Sequence, residues 1–339
     1  MQKLRVAMIG CGGYAGAHAR RLSAREDVEI VALASRTEAS IARLVERRLA
    51  EYKPAPRRYT SLDELYAKEE LDAVVLSTPH HLHFEQAMQA LDAGCHVLIE
   101  KPMVTSFADA KALAARVEEL HDAGDDRVVS VCYNPGFSKP MRLVREAVSA
   151  GTLGDLELVT GYIAQNWKTL TAGSWRQKPS ESGGGQLMDS GAHLLHSVLS
   201  SVGSAPSEVF AFSASLDAPV DINSTVTIRF GNGVMATITI GGNCMVDGGA
   251  TSFVFSGGRI DVDAWRGEWI RTYRAEGEPE VLEGLGEPSP DDNFVDAILG
   301  KASLDVDARD GLRLAALMDA IYRSAESHAP VRMSAAHSE

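Results

Sequence analysis

Short continuous apolar runs recur along the first part of the chain, at Leu4–Ile9, Val28–Ala34, Leu71–Ser77, Val97–Ile99 and Val128–Cys132. Runs this short and this apolar read as strands buried on both faces. Between them lie stretches with helical spacing: Ala17–Leu22, Ser61–Ala67, His83 to about Ala93, and Thr105 to about His121. Strands alternating with helices predict a doubly wound parallel sheet. Past Tyr133 the period changes to two. Val226, Ile228 and Phe230 share one face; after Gly231-Asn232-Gly233, so do Val234, Ala236, Ile238 and Ile240, with Thr237 and Thr239 opposite. Gly257-Gly258 joins Phe253-Val254-Phe255 to Ile260-Asp261-Val262. These are hairpin signals, and they predict a mostly antiparallel sheet. A helix near Ser138–Ser149 precedes this sheet, and helices near Asp291–Leu299 and Arg309–Ser327 follow it. The expected fold is an α/β domain over residues 1–133 and an α+β domain with a large, open-faced sheet over 134–339.

Composition narrows the function. A chain of 339 residues holds two domains with proper cores. Its net charge of −13 argues against a nucleic-acid or anionic-membrane surface. No apolar run approaches the roughly 20 residues that span a bilayer. Met1-Gln2-Lys3-Leu4 passes straight into a strand pattern, so no signal peptide is expected. Cys11, Cys95, Cys132 and Cys244 lie scattered, with neither metal-ligand nor disulfide-framework spacing, and a cytoplasmic location is the expectation.

The candidate chemistry begins at Gly10-Cys11-Gly12-Gly13-Tyr14-Ala15-Gly16, between the first strand and the first helix. Glycines at 10 and 12 permit a tight turn and close approach of a pyrophosphate to a helix N-terminus, with Ala15 or Gly16 as the third small position. That placement predicts a Rossmann dinucleotide site. Where such a site usually carries an acid after the second strand, the chain reads Ser35-Arg36-Thr37, a set suited to a 2′-phosphate; NADP is expected, with NAD possible. Thr78-Pro79-His80-His81-Leu82-His83 follows the fourth strand. Lacking carboxylate or cysteine partners at ligand spacing, Thr78, Pro79, His80 and His83 are assigned to a cofactor loop and helix cap rather than to a metal. Glu100-Lys101-Pro102 closes the next strand, at the sheet edge where ligands bind, so Lys101 can aim a cation at the cofactor.

In the second domain, Ser182-Gly183-Gly184-Gly185 forms a flexible lead into Gln186–His196, and Asp189 and His193 stand four apart. On a helix they share a face, where a carboxylate can orient an imidazole for proton transfer; a capping Asp and a satisfied core His fit the same spacing. Trp167 and Trp175 with Arg176 precede them, and aromatic faces beside cations line sugar pockets as well as cores.

Taken in order, these pieces resemble the glucose–fructose oxidoreductase/inositol dehydrogenase (Gfo/Idh/MocA) family over nearly the whole chain. The matching stretches are the early glycine turn, Leu71–Val75 with Thr78-Pro79 and His83, Ala93–Val97 running into Glu100-Lys101-Pro102, Ser149-Ala150-Gly151 with Leu153-Gly154, Trp175-Arg176, and Gly183–Gly185 with Asp189, Gly191 and His193. The resemblance implies Lys101 beside nicotinamide and substrate hydroxyl, Asp189 and His193 completing the catalytic group, a sugar, inositol or related polyol as substrate, and a homodimer or homotetramer built through the open sheet face. Departures are His80 where many relatives carry Asn, His196 where they carry an acid, and Ser35-Arg36 in place of the strand-two acid.

The expected activity is hydride transfer between a nicotinamide and a ring secondary alcohol. In it His193 takes the proton, Asp189 supports the imidazolium and Lys101 polarises the oxygen. The rivals are a cofactor-retaining hydrolase that cleaves a glycosidic bond by transient oxidation, and a non-catalytic dinucleotide-binding regulator.

Overall fold

The computed structural model describes residues 3–286 and 289–333, so Met1-Gln2 and the last residues of the expected second domain lie outside the described residues. The chain divides into two units. The first comprises Met1–Val104, Ala108–Cys132 and Ser289–Ala308; the second comprises Thr105–Phe107, Tyr133–Pro288 and Arg309–Glu339. The change at Cys132–Tyr133 is where the periodicity shifts, and Ser289–Ala308 rejoins the first unit.

In the first unit, β1 (Leu4–Ile9), β2 (Val28–Ala34), β3 (Arg57–Tyr59), β4 (Ala73–Leu76), β5 (His96–Ile99) and β6 (Val129–Val131) form one sheet in the order β3-β2-β1-β4-β5-β6. All of its pairings are parallel. Order reverses between β1 and β4, and the carboxyl ends there form the usual ligand crevice of such sheets. Four helices connect the strands: α1 (Ala15–Ser23), α2 (Glu38–Leu44), α3 (Leu62–Lys68) and α4 (His83–Asp92); α5 (Phe107–Asp122) precedes β6. Each has a local cause. On α1, Ala15, His18, Ala19 and Leu22 form the buried stripe. Thr37 and Ser61 cap α2 and α3 by accepting from Ser40 N–H and Glu64 N–H. Val6, Met8, Ile30, Leu33, Val75 and Leu98 make the core, each such side chain contributing roughly 1.5–3 kcal/mol by leaving water.

The second unit carries α6 (Lys139–Ala150), β7 (Leu156–Ala164), α7 (Trp167–Leu170), α8 (Pro179–Ser182) and α9 (Ala192–Val202), followed by strands β8 (Pro206–Ala214), β9 (Asn223–Phe230), β10 (Met235–Gly241), β11 (Gly248–Phe255), β12 (Gly258–Asp263), β13 (Trp269–Arg274) and β14 (Glu280–Glu283). After the returning helix α10 (Pro290–Ile298) of the first unit come α11 (Ala308–Ser327) and β15 (Val331–Arg332). The nine strands run β14-β13-β12-β11-β7-β10-β9-β8-β15, antiparallel except for the β7–β10 pair. Both expected hairpins form, β9–β10 about Gly231–Gly233 and β11–β12 about Gly257. One sheet face is buried. On the other, Leu158, Thr160 and Tyr162 of β7 pair in register with Met235, Thr237 and Thr239 of β10. That face is threonine-rich, with Leu158, Tyr162, Phe212 and Met235 exposed among the polar positions.

One expectation is corrected here: Gly183-Gly184-Gly185 is not a flexible lead. A Cβ on Gly185 would stand 1.9 Å from the Asp221 carbonyl oxygen, and one on Gly184 2.2 Å from the Tyr322 hydroxyl. Glycine is required because the neighbouring chain fills the space.

Candidate active site

The turn after β1 has the properties a pyrophosphate needs. Gly10 sits at φ +93°, and a Cβ there would come within 2.6 Å of the Ser77 carbonyl, so no other residue fits. Cβ atoms on Gly12 and Gly13 would meet nothing within 4 Å. Those two positions leave open room at the start of α1, whose N-cap, the exposed Tyr14, supplies no side-chain cap. Ala15 is fully buried and is the small residue that packs the helix onto the sheet. This cradle fits a dinucleotide held by the backbone around Gly12–Ala15. After β2, Ser35 N–H donates to Tyr59 O, Arg36 is exposed, and the Thr37 hydroxyl is occupied in capping α2.

The loop after β4 is braced from beneath. Thr78 Oγ1 donates to Gln86 Oε1 at 2.6 Å. His83 is fully buried, with Nδ1 2.8 Å from Pro102 O and Nε2 3.0 Å from Thr78 O. Burial pushes the His83 pKa down, so the ring is neutral and donates to one of these carbonyls at a time. Its role here is to tie Thr78 to Pro102, the neighbour of Lys101. His80 is also buried, its ring 5.8 Å from that of His83.

Glu100 turns inward. Its Oε1 lies 3.1 Å from His18 Nε2, and its Oε2 accepts the Lys101 backbone N–H at 3.3 Å. His18 Nδ1 reaches Asp291 Oδ1 at 2.7 Å, and Arg21 Nη1 donates to Asp291 Oδ2 at 3.2 Å. Burial alone would favour a neutral imidazole, but Asp291 and Glu100 outweigh it and raise the His18 pKa to about 10. His18 and Arg21 hold the Asp291 carboxyl low against its own burial. Cys132, its thiol pKa raised by burial, completes a group in which His18, Glu100 and Cys132 offer ligand atoms within 4.8 Å of one another. His18 Nε2 faces Glu100, and two cations balance two carboxylates, so the group holds together as a hydrogen-bonded ion network. Sequence reasoning missed it. The spacing of Ala15, His18, Ala19 and Leu22 does signal a buried histidine, but Asp291 lies 273 residues away.

In the second unit, Asp189 sits on a π-helical turn, Leu187–Gly191, before α9. Such turns occur frequently at functional sites. The turn replaces the regular α-helix expected between Asp189 and His193. The Asp189 Oδ2 accepts from Trp167 Nε1 at 2.7 Å and from Arg176 Nε at 3.2 Å. A carboxylate held by an indole N–H and a guanidinium is stabilised as the anion. Trp167 is only 5% exposed, so its indole serves Asp189 and the core with Val220 and Ile222, not an open sugar face. Trp175 is half-buried and carries the Arg176 guanidinium 4.5 Å above its ring. His193 is half-buried one turn beyond Asp189, while His196 is buried and stacks on Tyr133 at 4.7 Å. Asp221, another residue the sequence did not reveal, fixes the glycine segment: it accepts from Gly185 N–H, Leu187 N–H and the Tyr322 hydroxyl at 2.7, 2.8 and 2.9 Å.

A parallel sheet opening onto an empty-sided glycine turn, with Lys101 at the carboxyl end of β5, defines a dinucleotide-binding oxidoreductase. The chain belongs to the Gfo/Idh/MocA family: the profile described as "Oxidoreductase family, NAD-binding Rossmann fold" matches residues 4–124, and that of the "GFO/IDH/MocA C-terminal domain" matches 141–261. It is similar to 4-carboxy-2-hydroxymuconate-6-semialdehyde dehydrogenase of Sphingobium, 34% identical over 44% of each chain. It is also similar to D-glucoside 3-dehydrogenase of Escherichia coli, 27% identical over 58% of this chain and 53% of that protein. The chain spans about two fifths of the length of the first curated relatives it matches. Among solved structures, GenD2 from gentamicin A biosynthesis, in complex with NAD, superposes with a TM-score of 0.83 at 25% identity, covering 98% of this chain and 97% of that one. Among the described residues no helix is long and apolar enough to cross a membrane.

Proposed function

We propose that this protein interconverts a ring secondary alcohol and a ketone on a sugar, inositol or related polyol. The observation that carries the reading is Lys101, placed at the carboxyl end of β5 with its backbone N–H bound to the Glu100 carboxylate, in the unit whose glycine turn leaves room for a dinucleotide. The nicotinamide, when bound, supplies the hydride chemistry. His193 takes the hydroxyl proton, Asp189 supplies the negative charge that favours the imidazolium, and Lys101 polarises the substrate oxygen as charge develops. Trp167 and Arg176 hold Asp189, and Trp175 with the outer nitrogens of Arg176 offers a surface to the substrate hydroxyls. The sugar class is supported by the resemblance to D-glucoside 3-dehydrogenase.

Arg36, exposed after β2 where no acid stands, supports NADP as the preferred form. Leu158, Tyr162, Phe212 and Met235 on the open sheet face support a homodimer or homotetramer. The unpaired cysteines suit the reducing cytoplasm.

The test is a screen of sugars and inositols followed by nicotinamide absorbance, with Lys101→Ala and His193→Ala assayed on any substrate found. Each variant should lower kcat by roughly 10²–10⁴-fold while cofactor affinity stays near the parent value. Full activity in either variant overturns the assignment of roles. Product without net reduced cofactor would instead indicate the hydrolytic chemistry.

A further inference from the structure

His18 and Asp291 lie wholly buried, yet the group they form meets the residue next to Lys101. Glu100 ends β5 with its N–H donating to Leu76 O at 2.8 Å. Its carboxylate then has two duties, one oxygen facing His18 and the other accepting the Lys101 N–H. His18 belongs to the helix that begins at the glycine turn, and Asp291 to the first turn of α10. His18 and Asp291 are both wholly buried. We propose that His18 and Asp291, with Arg21, clamp Glu100 and through it position Lys101, so that His18 and Asp291 are positioning residues for the reaction assigned to this site. The inference rests on that assignment for its kinetic consequence but not for its geometry.

The physical case is one of direction. A carboxylate at a strand end is free to turn toward solvent or ligand unless something fixes it. Here His18 bridges two carboxylates through opposite ring nitrogens, and Arg21 holds the second oxygen of Asp291. Arg21, Cys132 and the ring of Tyr14, 5.5 Å from that of His18, surround the group from α1, the residue after β6 and the turn. Two charge pairs buried together contribute little net stability compared with apolar packing, but they admit one geometry. That geometry fixes the peptide of Lys101 relative to the start of α1, the two places a dinucleotide must meet at once.

The test uses His18→Gln and Asp291→Asn in the full chain, with three readouts. Lysine amines are labelled by reductive ¹³C-methylation, and the Lys101 signal is assigned from its loss in Lys101→Arg. The clamp predicts that this signal moves in both variants, with and without NADH. On a substrate from the screen, kcat should fall about tenfold with cofactor KM within about twofold, and the double variant should be no worse than the single ones. If His18→Gln does not fold, Asp291→Asn, which keeps shape and one acceptor, carries the same reading. A lowered Tm with the Lys101 signal and kcat unchanged overturns the clamp and leaves a purely structural ion group. If the wild type oxidises no sugar while the Lys101 signal still moves, the clamp stands and the proposed reaction falls.

Discussion

A methyl group at Gly12 or Gly13 would meet nothing within 4 Å, whereas one at Gly185 would stand 1.9 Å from the Asp221 carbonyl oxygen. Two glycine-rich segments of similar composition thus do different work. The first leaves a space that the chain does not fill, as a ligand site requires. The second lets two parts of the same chain come into contact. The carboxylates near them differ in kind as well. Asp221 is satisfied by neutral donors, two backbone N–H groups and the Tyr322 hydroxyl. Asp291 is met by two cations, His18 and Arg21, and Glu100 by His18 together with the Lys101 backbone N–H. The ionic group contains a histidine held protonated by its carboxylate partners, so it responds to pH.

The largest expected effect therefore belongs to Gly185. Gly185→Ala forces backbone movement against Asp221 and should cost more than about 3 kcal/mol, read as a lowered denaturant midpoint. A midpoint within experimental error of the parent would show that the second segment has slack the structure denies it.

The ionic network gives the next effect, and its sign follows from His18. The folded pKa of about 10 lies above the ordinary 6.5, so the native state retains a proton that the unfolded chain loses. The stabilisation is fully present below about pH 6.5 and is lost as pH rises to about 10. The charged and titratable groups facing His18 are Glu100, Asp291, Arg21, Cys132 and Tyr14. Urea titrations from pH 7 to 10 should show stability falling in the wild type and a flatter profile in His18→Gln; parallel profiles would assign the loss elsewhere.

What the sequence made legible, and what it hid, follows the same division between local and distant causes. The β1–turn–α1 unit, the hairpins at Gly231–Gly233 and Gly257, and the capped helices are set by neighbours in the chain, and they form as their patterns indicate. The parallel pairing of β7 with β10 joins strands separated by β8 and β9, which no local pattern encodes. β3, a three-residue strand at Arg57–Tyr59, is too short to show a period. Of the candidate site, Lys101, Asp189 and His193 stood out by motif. Their supports did not, because Asp291, Asp221 and Trp167 act across 273, 36 and 22 residues. Trp167 was readable as aromatic but not as a donor to Asp189, since burial decides between the two.

A third test returns to the open turn. Gly12→Ala adds a methyl where the chain has room, so thermal stability should hold within about 0.5 kcal/mol. The methyl would instead occupy the approach of the pyrophosphate to the helix start, and dinucleotide affinity should fall roughly 100-fold by calorimetry. Loss of stability together with unchanged affinity would reverse the contrast between the two glycine segments.

The smallest expected effect probes the far end of the same site. β2 ends at Ala34, and of the three residues that follow, Thr37 is committed to capping α2 while Ser35 is half-buried. That leaves Arg36, exposed and with no acid in the stretch, as the group able to meet a 2′-phosphate. Water screens an exposed guanidinium, so its worth is modest: Arg36→Ala should weaken NADP about tenfold and leave NAD within about twofold. The effect should shrink further as salt is raised, because the contact is between exposed charges. Calorimetry with both dinucleotides at low and high salt reads it directly. NAD binding more tightly than NADP to the wild-type protein would remove Arg36 from the site and leave the open glycine turn to hold the dinucleotide without a 2′-phosphate contact from this stretch.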